Sequence, residues 1–254
     1  SILLSEEEEL LTQVDIQGSI DKVNRLSAIE EINAVIREGH PSDTMTALMK
    51  PEAQLPPVLP FAAVMYQNEL FNLQKENSLH YLSPEEVSTT VEMVSGVALL
   101  NQALETEDLL LTQERLRNPS VDFHNLHEDH LERYASRLVS LKSQASSQGQ
   151  EHLSRDEIQN EIDEVNLEIQ EVDEMHAAVI AIIEAVKKGI AEETLITLKD
   201  PKAVLTSVDD RLADNYQKEL WEAKQKKEEE SILLSEEEEL LTQVDIQGSI
   251  DKVN

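Results

Sequence analysis

The sequence predicts an all-α fold built as a helical repeat array, each unit running long helix, short helix, proline-bearing elbow, long helix. Three observations carry that prediction. The composition of the 254-residue chain is that of long helices, with aromatics at 3%, 6 Gly and 8 Pro beside abundant Leu, Ala, Glu, Gln and Lys. A six-residue helix-start device recurs along the chain. In one stretch apolar residues return at alternating steps of four and three, the spacing of a single buried helical face.

The start device reads Leu11-Thr12-x-x-Asp15-Ile16, Leu82-Ser83-x-x-Glu86-Val87, Leu153-Ser154-x-x-Glu157-Ile158 and Leu241-Thr242-x-x-Asp245-Ile246. The hydroxyl residue is placed to accept from first-turn amides, and the acid three residues on reaches back to close a capping box. The flanking Leu and the Ile or Val after the acid form the two ends of a hydrophobic staple. Pro84 at the first helical position reinforces the second copy.

A long helix follows each start. The third is the plainest, with Ile158, Ile162, Val165, Ile169, Val172, His176, Val179, Ile183 and Val186 in one seam. Such a seam gives the array coiled-coil character, and His176 reads as a polar residue tolerated in the core. The first two long helices are shorter. Val23 to Asn33 is 10 residues, Val94 to Asn101 is 7 and Val165 to Ile183 is 18. The differences are close to whole turns at about 3.6 residues each, so the buried face stays in phase through one uninterrupted helix.

Downstream landmarks repeat as well. Gly39 and Gly189 are expected helix C-caps. Thr44, Leu48 and Pro51 align with Thr112, Leu116 and Pro119 and with Thr194, Leu198 and Pro201, a short helix stopping before proline. Tyr66, Leu70 and Leu73 match Tyr134, Leu138 and Leu141, then Tyr216, Leu220 and Ala223. These landmarks place repeat units at 1–78, 79–150 and 151–230, with Ser143–Gln150 and Lys224–Glu239 as linker candidates; the second could equally continue a helix through Glu/Lys pairs. Residues 231–254 repeat residues 1–24 without substitution and open a fourth unit. Neighbouring units share only caps, seams and turn residues, so this identity points to an engineered or recent copy rather than an old repeat.

Net charge is −31, from 21 basic and 52 acidic residues. Each 24-residue copy carries Glu6–Glu9, Asp15 and Asp21 (or their equivalents) against a single lysine. So acidic a surface repels phosphate backbones and anionic lipid, which argues against nucleic-acid binding and favours basic partners. Without Cys there is no disulfide or thiolate metal site. The longest apolar run, Ala177–Ile183, is far short of the ~20 residues that span a bilayer. Residues 1–24 have no basic start, so no signal peptide is expected and a cytosolic address fits.

The run Leu-Ser-x-x-Glu-Ile-Gln-x-x-Ile-Asp-x-Val-Asn at 153–166, with Thr-Leu-x-x-Leu-x-x-Pro at 194–201 and Tyr-Gln-x-Glu-Leu at 216–220, resembles the internal repeats of IQGAP-type scaffold proteins. Unit 1 carries the pattern through Asp15-Ile16-Gln17, Ile20-Asp21-Lys22-Val23-Asn24, Gly39 and Tyr66-Gln67-x-Glu69-Leu70. Unit 2 departs most, with Val87-Ser88 for Ile-Gln and Ser95 for Asn. The resemblance covers nearly the whole chain. It implies a non-catalytic fragment of a cytoplasmic scaffold of the actin cytoskeleton and cell cortex, working in small-GTPase signalling. In that family the repeats lie between a calponin-homology domain and the WW, IQ-motif and GAP-related regions, none of which is visible here. Actin, calmodulin and GTPase binding therefore attach to no residue of this chain, which leaves spacing, self-association and protein docking. A coiled-coil element that dimerises a longer scaffold is the alternative.

Other motifs weigh little. The Ile-Gln pairs at 16, 158, 169 and 246 are not calmodulin sites, because no basic residues follow them as such a site needs. His124, His127 and His130 with Glu128, Asp129 and Glu132 are the densest metal-capable cluster. His127 and His130 are its weak zinc candidates if the segment is helical, and a solvated cluster is the plainer reading. No phosphate loop, catalytic triad or nucleophile elbow occurs, so no enzyme and no cofactor is expected. Tyr216 reads as core, while Trp221, one step beyond Leu220, is the weak candidate for an exposed protein-binding anchor.

Overall fold

A computed structural model describes residues 12–234 and 240–254. Ten α-helices and five short 3-10 turns make up the described residues, with no strand among them. Repeat landmarks fall on α1 (Gln13–Glu38), α2 (Pro41–Leu48) and α3 (Ala63–Glu76). Next come α4 (Pro84–Glu105), α5 (Leu109–Leu116) and α6 (Leu131–Ser147). The last are α7 (Arg155–Lys188), α8 (Ala191–Leu198), α9 (Ala213–Leu234) and α10 (Gln243–Val253). The short helices α2, α5 and α8 each stop just ahead of Pro51, Pro119 or Pro201, as the exclusion of pre-proline residues from helical geometry requires. Gly39 (φ 84°) and Gly189 (φ 77°) take the left-handed conformation that ends α1 and α7.

The start devices are realised unevenly. Thr12 with Asp15 and Thr242 with Asp245 close full capping boxes. Ser154 with Glu157 does the same, its two bonds measuring 2.7 and 3.1 Å. Ser83 caps the Glu86 amide, but the Glu86 carboxylate takes a bond from Asn77 instead of returning to the cap. The staples Leu82/Val87, Leu153/Ile158 and Leu241/Ile246 are buried. Ile16 is exposed, and Leu11, the other half of that staple, lies outside the described residues.

Two sequence expectations need correction. Helix α7 is continuous, yet its seam is not. Burial falls on Ile158, Ile162 and Val165, then on Ala178, Val179, Ile182, Ile183 and Val186, while Val172 and His176 are exposed. A strict heptad stripe drifts by about 20° per heptad around a straight α-helix, so it cannot face one partner over this length without supercoiling. His176 is therefore not a core residue. The proposed linker Ser143–Gln150 is mostly the last turns of α6, which ends at Ser147 before Gly149 turns the chain (φ 85°). As for Lys224–Glu239, α9 is helical to Leu234 with Lys224–Glu228 and Lys226–Glu230 pairs one turn apart, and 235–239 lie outside the described residues.

The chain divides after Asp163, inside α7, into two compact units. In the first, Ile29, Ile32, Ile36, Leu48, Tyr66 and Leu70 pack with Leu82, Val87 and Val91 in one core. Buried Asn33 ties consecutive repeats together. Its amide donates to the Leu82 carbonyl (2.9 Å) and accepts from the Leu82 N–H (2.7 Å), while Gln74 donates to the Asn33 carbonyls. Asn101 repeats the clamp on Leu153 at 2.9 and 2.7 Å. Each strap satisfies the backbone just ahead of an N-cap, where a buried unpaired group would be costly. In the second unit the same helical position is Ile183, and the core gathers Val179, Ile182, Ile183, Val186, Tyr216 and Leu220 with Leu241, Ile246 and Ile250.

A second polar device fastens the short helix. The buried Thr44 hydroxyl donates to Gln67, whose amide donates to the Ile36 carbonyl at 2.9 Å. Thr194, Gln217 and Val186 make the same bridge in the second unit. At the intermediate position Ala135 stands where Gln is needed, and the buried Thr112 hydroxyl has no partner. Loss of one buried hydrogen-bond partner costs about 1–3 kcal/mol. In urea unfolding, Thr112→Val should therefore be neutral or stabilising, whereas Thr44→Val should destabilise by about 1 kcal/mol or more.

The two identical 24-residue segments should also differ in weight. Removing 231–254 strips two fully buried isoleucines from the core of the second unit, at about 1.5–3 kcal/mol each, and should lower the melting temperature clearly. Removing residues 1–24, whose Ile16 and Ile20 are 51% and 47% exposed, should shift it much less. Calorimetry on the two truncations checks the contrast.

Candidate functional site

The first unit carries a cleft of about 520 Å3 at the joint between its first two repeats. One wall comes from α3 through Val64, Met65, Asn68 and Glu69, the other from α4 through Met93, Val94 and Val97. The strapped segment Glu151–Asp156 closes one end. A smaller neighbouring cleft of about 320 Å3 shares Glu69, Met93, Ser154, Arg155 and Asp156, so Glu69 sits where the two meet.

The Tyr and Asn landmarks explain why the cleft forms there. Tyr66, fully buried on α3, accepts from the Leu59 amide at 3.0 Å and bonds Ser95 of α4 at 2.6 Å, fixing the crossing of these helices. The Asn101 strap pins residue 153. Arg155 at the start of α7 is held by the carbonyls of Val121 and Asp122 at 2.7 and 2.6 Å and stacks on Phe123. Its Nε and one terminal nitrogen are so engaged, and Arg155 forms a charged wall of the cleft. Burial pushes the Glu69 carboxyl above its ordinary value; the charges of Asp156 and Glu76 add to the push, and Arg155 opposes it. A half-buried carboxylate between methionine walls, with a second carboxylate beside it, suits a cationic side chain carried on an apolar stem.

The sequence candidates fall elsewhere. His127 caps the 3-10 turn Glu128–His130 instead of lying on a helix with His130, and their rings meet edge-on at 5.5 Å. His130 continues the stack toward Tyr134, and its buried Nδ1 has no hydrogen-bond partner. Among the described residues no group of three or more His, Cys, Asp or Glu converges as metal ligands. Trp221 is 43% exposed on α9, with the Lys224 ammonium 5.9 Å from its ring centre.

Sequence reading missed Glu69 and the Ile-Gln glutamines. Gln159 clamps the His124 backbone from both sides, accepting at 2.8 Å and donating at 2.9 Å. Gln247 does the same to Thr206 at 2.9 and 3.1 Å. At these two starts the Ile-Gln pair is thus a joint device, its Ile buried and its Gln strapped to the preceding elbow. The signal was present in the recurrence of Gln after the staple residue.

Over 247 residues the chain is 51% identical to "Ras GTPase-activating-like protein IQGAP2" of Homo sapiens, which covers 97% of this chain and 16% of that protein. The Mus musculus protein of that name is 53% identical over 220 residues, 87% of this chain and 14% of its own length. The chain is an IQGAP-type segment. Human "Ras GTPase-activating-like protein IQGAP3" is 37% identical over 86% of the chain. The chain spans about a sixth of these IQGAP relatives or less. No family model matches it, and no solved structure matches it. Among the described residues, no helix of this IQGAP-type segment is long and apolar enough to cross a membrane.

The raised Glu69 pKa has a definite sign. A carboxyl that holds its proton more tightly when folded costs stability once ionised, and that cost vanishes as pH falls below the unfolded value of about 4.3. Glu69→Gln should therefore raise the urea midpoint at pH 7, with the gain fading in acid. Parallel unfolding curves at pH 7 and pH 4 test this.

Proposed function

We propose that this segment is a non-catalytic spacer and docking module of a cytoplasmic, cortex-associated scaffold, and that its joint clefts receive basic side chains of partner proteins. The observation that carries the reading is the 520 Å3 cleft with half-buried Glu69 between Met65 and Met93 and Asp156 alongside. The strongly acidic chain supports a basic partner through long-range attraction, which favours encounter more than tight binding. Repeat boundaries at 1–78, 79–150, 151–230 and 231–254 belong to the same proposal, each joint following one elbow and preceding one capped helix. The relatives' names connect them to Ras GTPase activation, and for this segment we assign only the service of holding partners at fixed intervals. A long coiled-coil dimer is the weaker reading, because Ile158, Ile162, Val165, Ile183 and Val186 of the seam it would need are already buried within the chain itself.

Titrating the isotope-labelled chain with the acetyl, N-methylamide derivatives of arginine and of leucine tests the cleft. Arginine should shift the amides of Glu69, Met93 and Asp156 at millimolar concentration, leucine should not, and Glu69→Gln with Asp156→Asn should abolish the response. Equal, scattered shifts with both compounds would refute the site.

A further inference from the structure

The cleft at the joint of the first two repeats is longer than one side chain needs. On α3 its lining is Val64, Met65, Asn68, Glu69 and Asn72, a series that forms one helical face about 12 Å long at about 1.5 Å per residue. With the smaller cleft included, α4 contributes the same series in Thr89, Thr90, Met93, Val94 and Val97. Two helical faces thus flank one trough, whose two parts meet at Glu69 and Met93. Exposed apolar side chains border it. Phe61, Val64 and Phe71 are 52%, 54% and 40% exposed. With Asn68 they follow at steps of three, four and three along α3 and the 3-10 turn before it. A contiguous apolar strip rimmed by polar groups marks an interaction surface, as scattered exposed residues do not. The rim is acidic here. Glu69, Glu151 and Asp156 line the larger cleft and Asp122 the smaller, against Arg155 and the His152 imidazole.

We propose that this trough seats an amphipathic basic helix of a partner protein. Its central Arg or Lys points at Glu69 and Asp156, and its large apolar residues one turn to either side lie on Val64, Met93 and the exposed phenylalanines. The inference rests on the reading of the cleft as a seat for basic side chains, and it adds the form of the segment that carries them. The backbone selects a helix over an extended chain. An extended segment added to a surface is held by main-chain hydrogen bonds. Both walls here are helical faces, whose amides and carbonyls are spent within α3 and α4. At the closed end the Leu153 backbone is bonded to Asn101, and the Val121 and Asp122 carbonyls to Arg155. A strand laid there would lose water from its own backbone and gain no partner. A helix arrives with those groups paired and offers residues at i, i+3, i+4 and i+7, the spacing of the strip it meets. The acidic lining repels phosphate, which excludes nucleic acid and an anionic membrane as occupants. Met65 and Met93 adapt to more than one apolar side chain, so the trough reads a pattern of charge and apolar residues rather than a single sequence.

Three fluorescently labelled peptides of equal charge test this on the full chain, in about 0.15 M salt, where long-range attraction is screened beyond roughly 8 Å. The first is an alanine- and glutamine-based helix with Leu, Arg and Leu on one face at i, i+4 and i+7. The second moves both leucines to the opposite face. The third places proline just ahead of the arginine, where it breaks the helix. Anisotropy should show the first binding at least tenfold more tightly than the other two. Phe61→Gln with Phe71→Gln, both on the surface, should weaken it at least fivefold while the acetyl, N-methylamide derivative of arginine still shifts the Glu69 amide. Glu69→Gln with Asp156→Asn should weaken peptide and derivative alike. No preference for the first peptide, or an affinity indifferent to the two phenylalanines, would overturn the helical occupant. If the derivative still shifts Glu69 in that event, only the helix is refuted. If the derivative fails too, the reading of the cleft falls with it.

Discussion

Everything in this fold hangs on the joint between one repeat and the next, and the joint hangs on satisfying backbone groups where a helix begins. The long helices α4 and α7 start against the preceding repeat, where Leu82 and Leu153 just ahead of the caps are buried. Asn33 meets this need with one side chain, giving and taking a bond at Leu82 while Gln74 secures the asparagine itself. Asn101 does so at Leu153. Around those straps the capping hydroxyl, the staple and the elbow-binding glutamine deal with the remaining orphan groups. Hydrophobic burial supplies most of the free energy, but it is non-directional. The directional bonds decide in which register one repeat meets the next.

The same economy explains where the repeats differ. A polar bridge is worth having only when complete, because a half-made one leaves a buried donor or acceptor unpaired. Thr44–Gln67 and Thr194–Gln217 are complete, and Thr112 without its glutamine is not. At the third joint Ile183 stands in the asparagine's place and packs in the core, while Gln247 still straps Thr206. Clefts open at the joints because helices of unequal length, held at a few fixed points, cannot fill every space between those points.

Much of the architecture was legible in the sequence because its signals are local. The N-caps, the prolines after the short helices, Gly39, Gly189 and the three tyrosines all act within a few residues of where they stand. The continuous seam of α7 was misread because periodicity gives a face and not what lies opposite it, and for Val172 and His176 that is solvent. Glu69 was invisible for a related reason. Its raised pKa comes from burial and from Asp156, which the fold brings near from 87 positions away. Asn33 and Asn101 could have been found, since both are polar residues on the apolar face at one repeat position.

The two identical segments turn this into a general point about such arrays. Sequence decides what a helix start can bind, and position decides whether it is bound. Thr12 and Thr242 close the same capping box on the same helix, so local structure is indifferent to context. Burial is not, because Ile246 has a core to enter and Ile16 does not. A start helix is half of an interface whose other half is the end of a repeat, and a repeat array is a series of such halves matched in order. The order in which starts and ends are matched rests on the directional straps, Asn33 at Leu82 and Asn101 at Leu153, because burial alone would accept more than one register.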